Sequence, residues 1–323
     1  MAVLRQVVVH LGADQLIEKG NALAQKPNFF VVGAPKCGTT ALYEYLRPHP
    51  NIFMPEVKEP HFFAKDFGTY PRIKTMEEYR QIFAQSTDQH LRVGEASVYY
   101  LRSSVAISNI RDFNPAAKLI AMLRNPVEMI YSFHSQLLYV GEENVAEFET
   151  AWRLQERRSH GLDLPPAIRS PLLVQYAEMG RFGTQTERLL SLFPPSQVKL
   201  ILFDDFVSSA QKVYDEVIEF LEIPHDGRAE FPRINENKKA RMSWLGQFSR
   251  KPPPAVREVY QTIKQTVGPK KVDAVKRKVV NLNTVKERRR PLSPAFRAEL
   301  VETFRDEVAL LSRLLNRDLS HWV

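Results

Sequence analysis

The sequence predicts an α/β protein: a central parallel sheet flanked by helices, with a helical C-terminal region. Three observations carry this. Short apolar runs rich in β-branched and aromatic residues recur at 28–32, 119–123 and 198–203, each the length of a buried strand. Each leads into a segment with helical character, at 39–46, 126–139 and 204–221. Beyond residue 241 only helical patterns remain, at 242–250, 255–267 and 294–315. Short apolar strands alternating with helices build a parallel sheet, because parallel neighbours need a crossover connection.

The first run, Asn28-Phe29-Phe30-Val31-Val32, ends in the turn Gly33-Ala34-Pro35-Lys36-Cys37-Gly38, and the helix that follows stops before Pro48 and Pro50. The second run enters Arg124-Asn125-Pro126, and Pro126 suits the first position of a helix, where its missing N–H costs nothing. The third is reached from an amphipathic helix at 181–193 through Pro194-Pro195. Residues 225–239 are polar and aperiodic and read as a long loop, a feature often kept for function. Loops at 48–72 and 140–171 are expected to shape a pocket. Residues 1–27 read as an arm or short helix and 28–323 as a single domain.

Composition narrows the class. At 323 residues, 44% hydrophobic and 25% charged, the chain can bury a sizeable core. Cys37 is the one cysteine, so no disulfide forms within this sequence, and a reducing, cytoplasmic setting is expected. No run approaches the roughly 18 apolar residues of a membrane span. The net charge of +8 is concentrated at Lys270, Lys271, Lys276, Arg277, Lys278, Lys286, Arg288, Arg289 and Arg290, opposed there by Asp273 and Glu287. Such a stretch is either a solvated basic face or a dock for an acidic partner.

The turn at 33–40 carries chemistry. Glycines at a helix start aim backbone N–H groups and the positive helix end at an anion, and Lys36 adds a charge. The triphosphatase loop requires Gly-Lys-Ser/Thr in succession. Here Lys36 precedes Gly38 by two residues and the hydroxyls of Thr39 and Thr40 follow it.

Pro35-Lys36-Cys37-Gly38-Thr39-Thr40 resembles the 5′-phosphosulfate loop of the sulfotransferases that use 3′-phosphoadenosine 5′-phosphosulfate (PAPS). Lys58-Glu59-Pro60-His61-Phe62-Phe63 resembles a segment of the bacterial and heparan-sulfate branch. Arg124-Asn125-Pro126 with Ser132 resembles that family's 3′-phosphate site. The matches extend over residues 28–221. The resemblance implies the P-loop-type sulfotransferase fold, transfer of a sulfuryl group from PAPS with release of adenosine 3′,5′-bisphosphate (PAP), and no metal requirement. It implies that Lys36 stabilises the leaving phosphate and that Cys37, Gly38, Thr39 and Thr40 hold the 5′-phosphate. Arg124 and Ser132 would take the 3′-phosphate, and Lys239 and Arg241 would cover the nucleotide. Glu59 is implied as the general base, with His61 beside it; an extended backbone would point both to one side, and burial near Phe62 and Phe63 would raise the carboxyl. Lys58, Glu95, Ser97 and Tyr100 are expected to contact the acceptor, with Tyr99 and Arg102 nearby. The family places a lysine after the equivalent of Glu95; here it is Ala96, which weakens the case for a sulfated glycan.

Other readings stay open. Glu59 could be a surface partner of Lys58, His61 a structural histidine, and Arg124 a packing residue. A P-loop kinase of a small metabolite would use Asp204 or Asp205 on a metal. A basic anion-binding or nucleic-acid-binding protein would use 270–290, although no specific nucleic-acid motif accompanies that stretch. The expected acceptor is a small molecule, a saccharide or a carrier-tethered chain, as for sulfotransferase domains of bacterial natural-product biosynthesis.

Overall fold

The computed structural model describes residues 25–71, 73–234, 238–240, 284–286 and 290–323. In chain order the elements begin with strand β1 (Phe29–Gly33), helix α1 (Thr39–Leu46), β2 (Ile52–Phe53), α2 (Met76–Gln81), β3 (Arg92–Ala96), α3 (Ala106–Phe113), β4 (Lys118–Leu123) and α4 (Pro126–Val140). They continue with α5 (Phe148–Arg153), α6 (Gln155–Ser159), α7 (Tyr176–Met179), α8 (Phe182–Leu192), β5 (Val198–Leu202), α9 (Phe203–Ser208), α10 (Ala210–Phe220), β6 (Lys238–Ala240), β7 (Thr284–Lys286) and α11 (Pro294–Leu315). Two compact units form. Of the described residues, the first holds those within 25–124, 182–232 and 309–319; the second holds those within 125–181, 233–308 and 320–323.

The first unit contains the five-stranded sheet, ordered β2-β3-β1-β4-β5 with every pairing parallel. All five residues of β1 are buried, as a strand at the centre of a parallel sheet must be. β1 therefore delivers its following turn to the carboxyl edge of the sheet, with the turns after β3 and β4 on either side, where open α/β sheets bind ligands.

The expected strands at 28–32, 119–123 and 198–203 form within a residue, and α1 and α11 match their expected limits. β3 was not legible in the sequence. Arg92-Val93-Gly94-Glu95-Ala96 lacks an apolar run because its side chains meet special demands: a Cβ on Gly94 would lie 2.1 Å from the Phe29 ring. The single helix expected at 204–221 is two. Ser209 takes an extended backbone, φ −149° and ψ 89°, and its side chain accepts from the Lys212 N–H, starting α10 afresh. The loop expected at 140–171 contains α5 and α6, and the one at 48–72 contains β2 and a 3₁₀ turn at Lys65–Phe67. The loop expected at 225–239 ends in β6, which pairs antiparallel with β7.

The second unit contains α4 to α7, β6, β7 and the start of α11. Asn125 begins α4 by accepting from the Val127 and Glu128 N–H groups, with Pro126 at the first turn as the sequence predicts. The expected arm at 1–27 falls almost wholly outside the described residues, as do the helices at 242–250 and 255–267 and nearly all of the basic stretch.

Candidate active site

The turn after β1 is built by steric exclusion. A Cβ on Gly33 would meet the Val98 carbonyl and Leu101 Cβ at 2.9 Å, so the turn after β3 packs directly on it. The Ala34 N–H is held by the Met122 carbonyl of β4 at 2.8 Å. Gly38 has φ +91°, and a Cβ there would press on Met122, Phe203 and Phe206 at 3.2 Å each. Lys36 also sits in the left-handed region, at φ 62°. No side chain caps the first turn of α1, so the turn presents backbone donors at a positive helix end. Thr39 is buried and Thr40 half-buried. Cys37 is fully buried; burial pushes its thiol up to about 12 despite Arg124 and Lys36, which makes it an inert wall.

Arg124 lies where β4 ends. Its guanidinium stands 4.7 Å over the Phe203 ring and reaches the Lys36 carbonyl at 3.4 Å, so it braces the turn and presents its remaining N–H groups. Two glycines without room for a side chain, an uncapped helix end and two cations suit a phosphate-bearing ligand. Ser132 is buried on α4 in the second unit. Lys239 falls on β6, and Arg241 lies outside the described residues.

The second cluster is the turn at 58–63. It is not extended: Glu59 has φ 59° and His61 φ 53°. The two side chains nevertheless meet, because the left-handed residues curl the chain, with His61 Nε2 3.7 Å from Glu59 Oε2. Lys58 Nζ donates to Glu59 Oε1 at 2.5 Å. Burial raises the Glu59 carboxyl, but the adjoining His61 ring and the Lys58 ammonium outweigh it and hold the group down at about 2. The expected upward shift is therefore reversed: opposite charge next to Glu59 wins over its apolar surroundings. About a third of its side chain, 32%, is exposed, whereas that of His61 is 2%. His61 stacks on Tyr99 at 4.7 Å, with Tyr99 stacked on Phe67 behind it and the Tyr70 edge at 5.0 Å. These rings fix the imidazole plane. Nothing in their spacing marks Tyr70 or Phe67 in the sequence.

Glu95, Ser97 and Tyr100, expected to contact the acceptor, are each 0% exposed and offer it no surface. They lie beneath the turn instead. Glu95 accepts from Tyr79 at 2.6 Å, from Tyr100 at 3.1 Å and from Ser97. Burial pushes its carboxyl up to about 7, against these three hydroxyl donors. Lys58 and Glu59 keep exposed surface.

Asp205, the alternative metal ligand, has both carboxylate oxygens engaged by Arg317. Among the described residues no group of three or more His, Cys, Asp or Glu is placed to hold a metal ion, and no helix is long and apolar enough to cross a membrane.

Comparison with known proteins adds to this geometry. A profile of the sulfotransferase domain family matches residues 26–271. Mouse (Mus musculus) carbohydrate sulfotransferase 15 is 27% identical over 252 aligned residues, covering 61% of this chain and 44% of that protein. Human (Homo sapiens) bifunctional heparan sulfate N-deacetylase/N-sulfotransferase 3 is 29% identical over 219, covering 66% of this chain and 24% of that one. The chain thus spans less than half the length of these relatives. A sulfotransferase from Alicyclobacillus acidocaldarius, of known crystal structure, is 28% identical with a TM-score of 0.66, covering 92% of this chain and 99% of that one.

Proposed function

The chain belongs to the sulfotransferase domain family, and from that premise we propose that it transfers a sulfuryl group from PAPS to a hydroxyl or amine acceptor. PAPS supplies the sulfuryl group and leaves as PAP. The observation that carries this reading is the 33–40 turn: an uncapped helix end at the carboxyl edge of β1, with Lys36 and Arg124 beside it. The backbone of Cys37, Gly38 and Thr39 and the Thr40 hydroxyl hold the 5′-phosphate. Lys36 neutralises charge as it builds on the phosphate oxygen, the kind of preorganised electrostatic stabilisation that dominates such displacements. Arg124 binds the 3′-phosphate with a planar fork.

Glu59 takes the acceptor proton. Its carboxyl, held at about 2 by His61 and Lys58, is ionised throughout the working range but is a weak base at rest. An acceptor hydroxyl that displaces Lys58 from Oε1 removes part of that restraint and makes Glu59 a stronger base when it is needed. The acceptor is a small molecule, a saccharide or a carrier-tethered chain, and the setting is cytoplasmic; the similarity to carbohydrate sulfotransferase 15 and to a heparan sulfate N-sulfotransferase supports the saccharide member of this set.

The test has two arms. The protein should bind PAP more tightly than ADP with magnesium; the opposite preference would favour the kinase reading. A PAPS-dependent assay against alcohols, phenols, amines, oligosaccharides and carrier-bound hydroxyacyl groups, read as sulfate mass gain, identifies the acceptor. With it, Lys36→Ala should lower kcat much more than it weakens PAP binding; equal losses would deny Lys36 its transition-state role.

A further inference from the structure

The turn carrying Glu59 and His61 is strapped to the end of β3 and the turn after it through alternate residues. The Glu59 N–H donates to the Ala96 carbonyl at 3.0 Å, the His61 N–H to Ser97 Oγ at 3.0 Å, and the Phe63 N–H to the Tyr100 hydroxyl at 3.3 Å. The first acceptor is a carbonyl and has a fixed direction. The other two are hydroxyls, which rotate, and a rotating hydroxyl accepts from an N–H only when its own proton points elsewhere. Both protons point to one place. Ser97 donates to Glu95 Oε1 and Tyr100 to Glu95 Oε2, with Tyr79 donating to Oε2 as well.

We propose that Glu95 is a positioning residue for the acceptor side of the site: by drawing in the Ser97 and Tyr100 protons, it turns their lone pairs onto the His61 and Phe63 amides and so orients Glu59 and His61. The proposal rests on the sulfuryl-transfer reading for its consequence in catalysis, but its geometry stands apart from it. A carboxylate suits this task because it only accepts. An amide or a protonated carboxyl brings a hydrogen of its own and reverses at least one of the three bonds. The groups facing Glu95 are Tyr79 from α2 and Ser97 and Tyr100 from the turn after β3, with the His61 amide one bond further; no charged side chain is among those that set its titration. A fully buried carboxyl without a cation is a costly way to fill a core. That cost points to a role other than packing.

The test is amide hydrogen exchange and amide NMR shifts of the whole protein, wild type and variants, in the presence and absence of PAP. In the wild type the His61 and Phe63 amide shifts should titrate with a midpoint near 7, following Glu95. In Glu95→Gln the titration should vanish and at least one of the two amides should exchange about tenfold faster or more, the equivalent of one lost hydrogen bond. Ser97→Ala should do the same at His61 alone and Tyr100→Phe at Phe63 alone, and Ser97→Thr, which keeps the hydroxyl, should restore His61. With the acceptor found by the panel, Glu95→Gln should lower kcat by about 100-fold with PAP affinity unchanged, the usual consequence of a small misplacement at a reacting centre. Unaltered exchange and titration in Glu95→Gln and Ser97→Ala would overturn the proposal, as would a folded Glu95→Gln with wild-type kcat. Failure of PAP binding or of PAPS turnover in the wild type would instead sink the sulfuryl-transfer reading, while the amide data still decide the role of Glu95.

Discussion

Two buried carboxylates, Glu95 in the first unit and Glu143 in the second, meet burial in opposite ways. Both accept a hydrogen bond from a buried tyrosine, Tyr79 for Glu95 and Tyr176 for Glu143, each at 2.6 Å. Glu143 also binds the Arg158 guanidinium through both oxygens, at 2.7 and 2.9 Å, with both side chains fully buried. Burial pushes the two carboxyls up. At Glu143 the bonds from Arg158 and Tyr176 outweigh it and the group is held below the usual carboxylate range. At Glu95 three hydroxyls do not, and the group rests at about 7. Hydroxyl donors soften the penalty of burying a charge; a paired guanidinium removes it. Glu143 therefore reads as a locked structural joint of the second unit, and Glu95 as a group left able to titrate beneath the site.

The largest effect should come from breaking the pair. Arg158→Met leaves Glu143 buried and uncompensated, and urea unfolding should show a loss of about 3–5 kcal/mol. Replacing both, Glu143→Gln with Arg158→Met, should recover most of that; no recovery would show that Arg158 stabilises by packing alone. The next effect has the opposite sign. Because the Glu95 carboxyl sits above its ordinary 4.5, the folded chain binds more protons than the unfolded one between about 4.5 and 7, so its contribution to stability falls as pH rises through that window and stays lost above it. Glu95→Gln should flatten this slope and gain on the order of 1–2 kcal/mol at pH 8, after allowing for one misdirected hydrogen bond. A destabilised Glu95→Gln at that pH would place Glu95 with Glu143 as a structural joint. Glu143 obeys the reverse rule: its contribution is present above the ordinary carboxylate range and is lost as pH falls through it. The smallest effect sharpens the contrast. Tyr79→Phe should cost about 1 kcal/mol and move Glu95 further up, since a donor to the charged form is removed. Tyr176→Phe should leave Glu143 ionised at neutral pH, because Arg158 remains; carboxyl carbon NMR reads both.

A gain in stability on losing Glu95 would have a plain meaning. Groups kept for function are often retained at a cost to the fold, and their replacement stabilises while it slows the reaction.

The glycine turn at 33–40 and Arg124 were legible in the sequence because their determinants are local. Gly33, Lys36, Gly38 and Thr40 lie within one turn, and the conformations they require, φ +156° at Gly33 and +91° at Gly38, are ones that glycine favours. Arg124-Asn125-Pro126 announces itself in the same way, through a proline at the helix start and an asparagine cap. The turn at 58–63 was legible only as a motif. Its residues were found, but their backbone was expected to be extended, and Glu59 and His61 are left-handed instead. The direction of the Glu59 shift was expected from Phe62 and Phe63, whereas Lys58 and His61 decide it. The resemblance that sets Glu95, Ser97 and Tyr100 against the acceptor is a local motif, and a local motif does not show that all three side chains are covered.

By itself the sequence determined strands β1, β4 and β5 with the helical segments that follow them, the glycine turn at 33–40 and the family, since each rests on neighbours within a few residues. The tertiary structure alone decided which polar residues reach solvent, where the carboxyls titrate and why Gly94 has no side chain, because each of those depends on distant partners: Tyr79 over Glu95, Arg158 across Glu143, and the Phe29 ring where a Cβ at Gly94 would stand. Burial and charge are properties of assembled neighbours, and only folding brings those neighbours together.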